Sequence, residues 1–465
     1  MKMIMLTCLL LSTTSAHQIA AATPVDWSQI NKETLFHFIN LLKIDTSNPP
    51  GNETQAALYL RNVLTQNGIE SELLGPNPDR LNLVARIKGN GSARPVLLLG
   101  HTDVVGVQRE RWRHDPFAGV IENGYVYGRG AVDDKDNVVA NLMMVLMLKR
   151  SGLVLNRDVI FVAESGEEGF AKEGFRYLVN HHWEKIDAEY ALGEGGGGSI
   201  KDGSPYLLAV AATEKVGRGA ELIARGSSGH GSMPRVDNAI THLARAVARI
   251  AEWQPPMRLN EITRAYFERV AEISDPEEAR RIRDLFNPAT ADNAGNYFKK
   301  HQIRYNSFLR TTISPNMFNG GFRPNVIPSQ ATAYLDIRAL PDENMTAFYQ
   351  MMREVIDDPA VELIPGRQMN PSSKPSGLKT DLYRSLEAVQ KRLYPEAITL
   401  PMLLTGGTDL QPLRGKGVHA YGIGPLKDMQ DGEGNGAHAD DERISEKALY
   451  GFVRYLWEVI LDLSS

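Results

Sequence analysis

Asp158-Val159-Ile160-Phe161-Val162-Ala163-Glu164-Ser165-Gly166-Glu167-Glu168-Gly169 runs from an almost wholly apolar stretch into two adjacent glutamates. A short continuous apolar run is the pattern of a strand covered on both faces. The spacing therefore predicts a strand over Asp158–Glu164 whose carboxyl end delivers the glutamate pair. Two carboxylates side by side repel each other. A cation relieves that repulsion by binding one and leaving the other free to take a proton.

Working outward, the same alternation recurs. Helical spacing of apolar residues covers Glu33–Ile44, Thr54–Asn67, Asn137–Lys149 and Phe175–Ile186. Strands are predicted over Leu81–Ile87, Pro95–Gly100 and Tyr190–Gly193. Strand and helix in alternation predict an α/β sheet with helices on both faces, and ligands in such sheets gather at the carboxyl ends of strands. His101, Glu167, Glu168 and Glu194 each come just after an apolar strand. A second pattern follows: a strand over Glu214–Arg225, a helix over Asn238–Trp253, strands over Arg310–Ser314 and Ala331–Ile337, a helix over Asn344–Ile356 and a strand over Val361–Ile364. This order predicts a smaller α/β layer. The charged stretch Leu259–His301 inside it reads as a lid or interface insertion, or as solvated surface helices. The turn-rich segment Gly366–Gly377 reads as the return to the first layer.

Bulk properties narrow the function. The chain has 465 residues, too many for one compact core. Its net charge of −5 gives no support to a nucleic-acid surface. Lys2, the apolar run Ile4–Leu11 and the small residues up to Ala22 have the form of an export signal, so residues 1–22 are expected to be removed and the protein to be periplasmic or secreted. That run is too short to span a bilayer, and no later segment is apolar enough. Cys8, inside the signal, is the only cysteine. Any metal in the mature chain must then rely on His and carboxylates.

Five short motifs carry the chemistry. His101 and Asp103 stand in Gly-His-Thr-Asp, where the aspartate is placed to accept the second imidazole N–H. Asp133 closes Gly128-Arg129-Gly130-Ala131-Val132-Asp133; Asp134 and Asp136, next along, also suit a helix cap. Glu167 and Glu168 form the third, Glu194 in Leu-Gly-Glu-Gly the fourth, and His438 in Gly436-Ala437-His438-Ala439-Asp440-Asp441-Glu442 the fifth. Each motif is weak by itself, and a solvated acidic loop is the bland reading of the last. In this order the set resembles the zinc-dependent hydrolases that include aminoacylase, acetylornithine deacetylase, succinyl-diaminopimelate desuccinylase, carboxypeptidase S and bacterial glutamate carboxypeptidase. The resemblance covers nearly the whole chain after the signal.

The resemblance implies a catalytic α/β domain with a mixed sheet flanked by helices (residues 23–213 and 368–465), interrupted by a smaller α/β lid and dimerisation domain (residues 214–367). It implies that Asp133 bridges two metals, one shared by His101 and Glu194 and the other by Glu168 and His438, with Glu167 as general base. Asp103 supports His101. His230, in Gly-His-Gly-Ser-Met-Pro, would stabilise the oxyanion, often from a partner subunit. Asn325 and Arg338 would hold the substrate carboxylate, and Gly407 and Thr408 would line the pocket. Two Zn2+ suit the donors, with Co2+ or Mn2+ as substitutes. The expected reaction is hydrolysis of an amide next to a C-terminal amino acid in a small peptide or N-acyl amino acid. An aminopeptidase or dipeptidase and an inactive binding protein are the alternatives. Asp136 stands where the family usually has Gly, and Gly106 where it often has Pro; neither touches a ligand.

Overall fold

A computed structural model describes residues 25–169, 171–366, 373–429 and 436–464. The export-signal expectation for residues 1–22 lies outside them, as does part of the return linker. Among the described residues no helix is long and apolar enough to cross a membrane.

The centre is a mixed sheet of ten strands among the described residues. In spatial order it runs Ser71–Leu74, Asn82–Ile87, Val159–Glu164, Val96–His101, Tyr190–Gly193, His419–Gly422, Ser204–Glu214, Gly197–Lys201 and Leu426–Asp428, with Ile398–Leu404 also paired to Ser204–Glu214. The four strands from Val159–Glu164 to His419–Gly422 are parallel. Their sequences are apolar at nearly every position because both faces are covered. Val96, Leu98, Val159 and Phe161 point to one core, against helices that include Lys135–Ser151 and Glu446–Ser464. Leu97, Leu99, Ile160 and Val162 point to the other, against Phe175–His181 and Leu410–Gly415. Lys135–Ser151 is buried all round from Lys135 to Leu148, as a helix without a polar face must be.

The chain leaves this sheet at Glu214 and enters a second one at Val216. The second sheet is antiparallel, in the order Thr312–Gly320, Gln330–Ala339, Val216–Arg225 and Val361–Pro365. Helices Ala239–Glu252 and Met345–Ile356 cover one face, where Ala220, Leu222, Leu335, Ile337 and Phe348 pack. The other face carries polar and charged residues, Arg338 and Glu221 among them.

Several expectations change. The predicted helix Phe175–Ile186 is broken at His182, whose backbone leaves the helical region (φ −139, ψ 34). The glycine run after Glu194, which could have been a flexible loop, opens a strand. A Cβ on Gly196 would lie 2.2 Å from the Gly422 carbonyl oxygen, so only glycine allows this approach of strands. The strand expected to stop at Ser314 continues to Gly320, bulging at Pro315; an edge position tolerates the missing N–H. The charged stretch Leu259–His301 is not a wholly solvated set of surface helices. Its helices, with Ile303–Leu309, bury Phe267, Phe298 and Phe308 against Leu400, Met402 and Leu403 of the large sheet. Most of their charges face outward, while Arg269 reaches inward to the Thr399 carbonyl at 2.6 Å and to Glu387.

Candidate metal centre

Three strand ends start the site. His101 ends its strand beside Glu164, its register partner in the neighbouring strand. Glu167 and Glu168 follow that neighbour, and Glu194 follows Tyr190–Gly193. Asp133 arrives from the other direction, on the glycine-rich loop before Lys135–Ser151. The buried carboxylate of Glu442 fixes this loop. It accepts from Arg129 Nη1 (2.5 Å), from the backbone N–H of Val132 (2.7 Å) and Asp133 (3.2 Å), and from Gly130 N–H (3.3 Å). His438 comes from the last loop, with φ +63.

These groups converge. His101 Nε2 lies 2.9 Å from Asp133 Oδ1 and 3.8 Å from Glu194 Oε2. His438 Nε2 lies 2.7 Å from Glu168 Oε1 and 3.2 Å from Asp133 Oδ2. The two oxygens of Asp133 thus face two different imidazoles. Ligand atoms of His101, Asp133 and Glu194 fall within 4.8 Å of one another, and so do those of Asp133, Glu168 and His438. A third such group joins His101, Glu167 and Glu168.

Asp103 departs from its expected part. His101 Nδ1 is 2.9 Å from the Asp103 main-chain carbonyl and 3.5 Å from the carboxylate, so the carbonyl is the nearer acceptor. The Asp103 carboxylate accepts instead from the N–H groups of Glu167 (3.1 Å) and Glu168 (3.0 Å) and from Asn48 Nδ2 (2.8 Å). One residue therefore orients the imidazole and anchors the glutamate pair.

The electrostatics fit a bound cation. Burial would raise the carboxyl of Asp133, yet hydrogen bonds from His101 and His438 hold it far below the usual range. Hydrogen bonds to Asp133 and Glu168 push His438 up to about 10. Burial would lower His101, but Asp103 and Asp133 raise it well above the usual imidazole range. Protons on the two imidazoles therefore stand where positive charge is required. Burial raises Glu194 well above the carboxylate range and Glu167 to about 8, against the pull of His101. Without cations, protons on the two imidazoles and on the raised acids offset the four carboxylates, and a pair of divalent cations would take the place of those protons. The donors are all nitrogen and oxygen, and the two groups share Asp133, so the residues fit two metals.

Among the described residues, no hydrogen bond or ion pair links His230, Asn325 or Arg338 to this cluster. His230 is exposed, its Nδ1 engaged by Ser232. Its short strand pairs with Val326–Ile327, which sets Asn325 beside it: Gly231 N–H donates to the Asn325 carbonyl at 2.8 Å. Arg338 is 45% exposed and paired with Asp336 at 3.2 Å. Gly407 is exposed. Thr408 corrects the expectation of a pocket-lining side chain: it is buried, and its hydroxyl donates to Glu214 Oε2 at 2.7 Å while its N–H donates to Glu214 Oε1.

The sequence reading also missed supporting residues. Glu442, which its sequence places at the end of a polar Gly-rich loop, holds the Asp133 loop. Asp134 makes no side-chain cap; its Oδ2 accepts from His101 N–H at 3.2 Å. Asn48 was passed over altogether. The placement of Glu442 one residue before the strand Arg443–Ser445, which pairs with Tyr125–Tyr127, was the available signal.

An α/β scaffold carrying clustered acids and imidazoles at its strand ends is the frame of a metal-assisted hydrolase. The model of peptidase family M20/M25/M40 matches residues 97–462, so the chain belongs to that family and is a hydrolase of the metallopeptidase kind. It is 27% identical over 390 residues to a probable carboxypeptidase S-like 2 of Dictyostelium discoideum, covering 82% of this chain and 74% of that one. It is 25% identical over 461 residues to the N-fatty-acyl-amino acid synthase/hydrolase PM20D1 of Homo sapiens, covering 96% and 90%. The M20 family metallo-carboxypeptidase Sso-CP2 of Sulfolobus solfataricus shares the fold, with a TM-score of 0.68, 20% identity and coverage of 92% and 98%.

Proposed function

We propose that the chain is an exported hydrolase using two zinc ions to cleave the amide bond next to a C-terminal amino acid, as an N-acyl-amino-acid hydrolase or carboxypeptidase. The observation that carries this reading is Asp133, whose two oxygens face His101 and His438 while Glu194 and Glu168 close the two halves. Similarity to PM20D1 along 96% of the chain supports the N-acyl-amino-acid class. Localisation rests on the composition of residues 1–22 alone.

His101, Asp133 and Glu194 would hold one ion, and Asp133, Glu168 and His438 the other. When bound, the ions acidify a water and polarise the scissile carbonyl. Glu167 takes the proton from the attacking water and passes it to the departing amine. Its neighbour Glu168 is committed to His438, while Glu167 has no side-chain hydrogen bond among the described residues. Asp103 holds the backbone of both glutamates, so the base keeps its position through the cycle. Arg338 binds the α-carboxylate of the leaving residue with its planar fork. His230 donates to the oxyanion from a second copy of the chain, which accounts for its exposure and for the absence of any bond to its own cluster among the described residues. A homodimer through the small domain belongs to this reading.

The test is hydrolysis of N-acyl amino acids and dipeptides by the purified chain, with and without a chelator. Activity that disappears with chelation and returns with Zn2+ supports the proposal. Chelator-insensitive cleavage, or no cleavage of any substrate with a free carboxylate, would overturn it.

A further inference from the structure

Lys215 is the single residue between the large and small sheets, and its side chain is 1% exposed. Its N–H donates to the Leu404 carbonyl of the large sheet. Its ammonium reaches the opposite way, to Ser307 Oγ at 3.1 Å and Thr312 Oγ1 at 3.0 Å. No carboxylate lies within ion-pairing distance among the described residues. Glu214, its chain neighbour, is held on the large-sheet side by Arg414 (2.8 Å) and Thr408. A buried ammonium with no counter-ion is costly, so its surroundings invite an explanation.

The register supplies one. Thr312 and Gly217 are the cross-strand partners of Arg338. Partners across a sheet share a face, and residues two apart on one strand share it too. Lys215, Gly217, Thr312 and Arg338 therefore lie on the face that helices Ala239–Glu252 and Met345–Ile356 leave open. Gly217 has no side chain, and Arg338 Nη1 would lie 3.8 Å from a Cβ placed there. The charged groups acting on Lys215 are Arg338 and Arg310, both cationic. Among the described residues the only acid paired with Arg338 is Asp336. This spot carries more positive charge than its own side chains neutralise.

We propose that Lys215 is a positioning residue that makes the Arg338 subsite selective for an anion: from the same face of the sheet its buried ammonium repels the guanidinium outward and strengthens the field that holds a substrate carboxylate. The inference rests on the carboxylate-binding part of Arg338. Burial first, then the repulsion of Arg338 and Arg310, lowers Lys215 to about 7. Its two hydroxyl partners accept from an ammonium and can equally donate to a neutral amine, so the side chain is satisfied in both states. An anion at Arg338 favours the charged state. Affinity for a carboxylate substrate should therefore fall as pH rises through the Lys215 transition.

The experiment measures kcat and KM for one N-acyl amino acid between pH 6 and 9, with the metal-loaded full chain, for wild type, Lys215→Met and Arg338→Ala. In Lys215→Met at pH 6, KM should rise about five- to twentyfold, the effect of removing one charge roughly 10 Å from a carboxylate at an effective dielectric of 20–40, and kcat should stay within about twofold. The wild-type KM should climb toward the variant's value by pH 9, while the variant's pH dependence becomes shallower by the same amount. Its melting temperature should not fall, since an uncompensated buried charge has been removed. Wild-type KM values in Lys215→Met overturn the inference. Loss of kcat together with a lower melting temperature makes Lys215 merely structural and overturns it as well. If Arg338→Ala raises KM and Lys215→Met does not, the inference fails while the clamp stands. If Arg338→Ala leaves KM unchanged, the clamp itself is wrong and the inference falls with it.

Discussion

Glu167 and Glu168 are adjacent and chemically identical, yet their surroundings separate them. Glu168 faces His438 at 2.7 Å. Glu167 is driven up to about 8 by burial, a shift opposed by His101 and reinforced by neighbouring carboxylates such as Asp409 and Glu168. A group that takes a proton readily near neutral pH suits a general base. Glu167→Gln keeps shape and removes that capacity. The expected outcome is a fall in kcat of about 10²- to 10⁴-fold with two metals still bound, checked by kinetics and metal analysis on the same preparation. Retained turnover would remove Glu167 from the mechanism. At this scale the sequence spoke clearly about residue types, because few arrangements other than a metal site place so many acids beside histidines. It was silent on Asp103 accepting two backbone N–H groups from a segment more than sixty residues away, and on Thr408 turning its hydroxyl to Glu214 instead of the pocket.

The elements that present these groups were legible where both faces of a strand are covered. Val96–His101 and Val159–Glu164 read as strands from their apolar runs alone. The helices of Leu259–His301 were harder to place, because one charged face and one apolar face fit many environments. The structure gives the apolar face its partner in strand Ile398–Leu404, more than a hundred residues later. Phe267 is completely buried there, stacked near Phe298 and edge-on to Tyr305. Phe267→Ala should therefore lower stability by about 3–5 kcal/mol, read from denaturant unfolding. It should leave the ranking of acyl chains unchanged, because this cluster is filled core. A changed acyl preference with unaltered stability would show that these helices line the substrate site instead.

At the scale of the molecule, the metal centre couples function to stability. Without cations, Glu167 (about 8) and Asp136 (about 8), both with burial as the largest cause, and Glu164 and Glu194, likewise raised, keep protons that the unfolded chain releases near pH 4.5. A carboxyl raised in the folded state makes the unfolded state the weaker proton binder across that window, so stability falls as pH rises. Asp133 is lowered and titrates below the window, so it does not reverse the sign. Lys135 and Lys215, lowered mainly by burial to about 7, act in the opposite direction only above that value. The chelated protein should thus lose stability from pH 5 to 7, by on the order of 1 kcal/mol per pH unit for each raised carboxyl, read as a falling melting temperature. Saturation with Zn2+ should remove the share of that slope due to Glu194, the ligand among the four, which is then ionised throughout, and should raise the melting temperature by mass action. Equal slopes with and without metal would mean that Glu194 is not a ligand.

The order and chemistry of the five motifs, the buried strands that carry three of them and the change to a second α/β layer after Glu214 were all written in the sequence, because side-chain type and apolar periodicity are local properties. Three matters were decided only in three dimensions. Asp133 presents its two oxygens to two histidines more than three hundred residues apart. Glu442 leaves an acidic loop to hold the segment around Asp133. The apolar side of Leu259–His301 finds the large sheet and not solvent. In each case the deciding contact joins distant parts of the chain, and such contacts leave no periodic trace: their free energy comes from burial and hydrogen bonding that exist only once the chain has closed on itself.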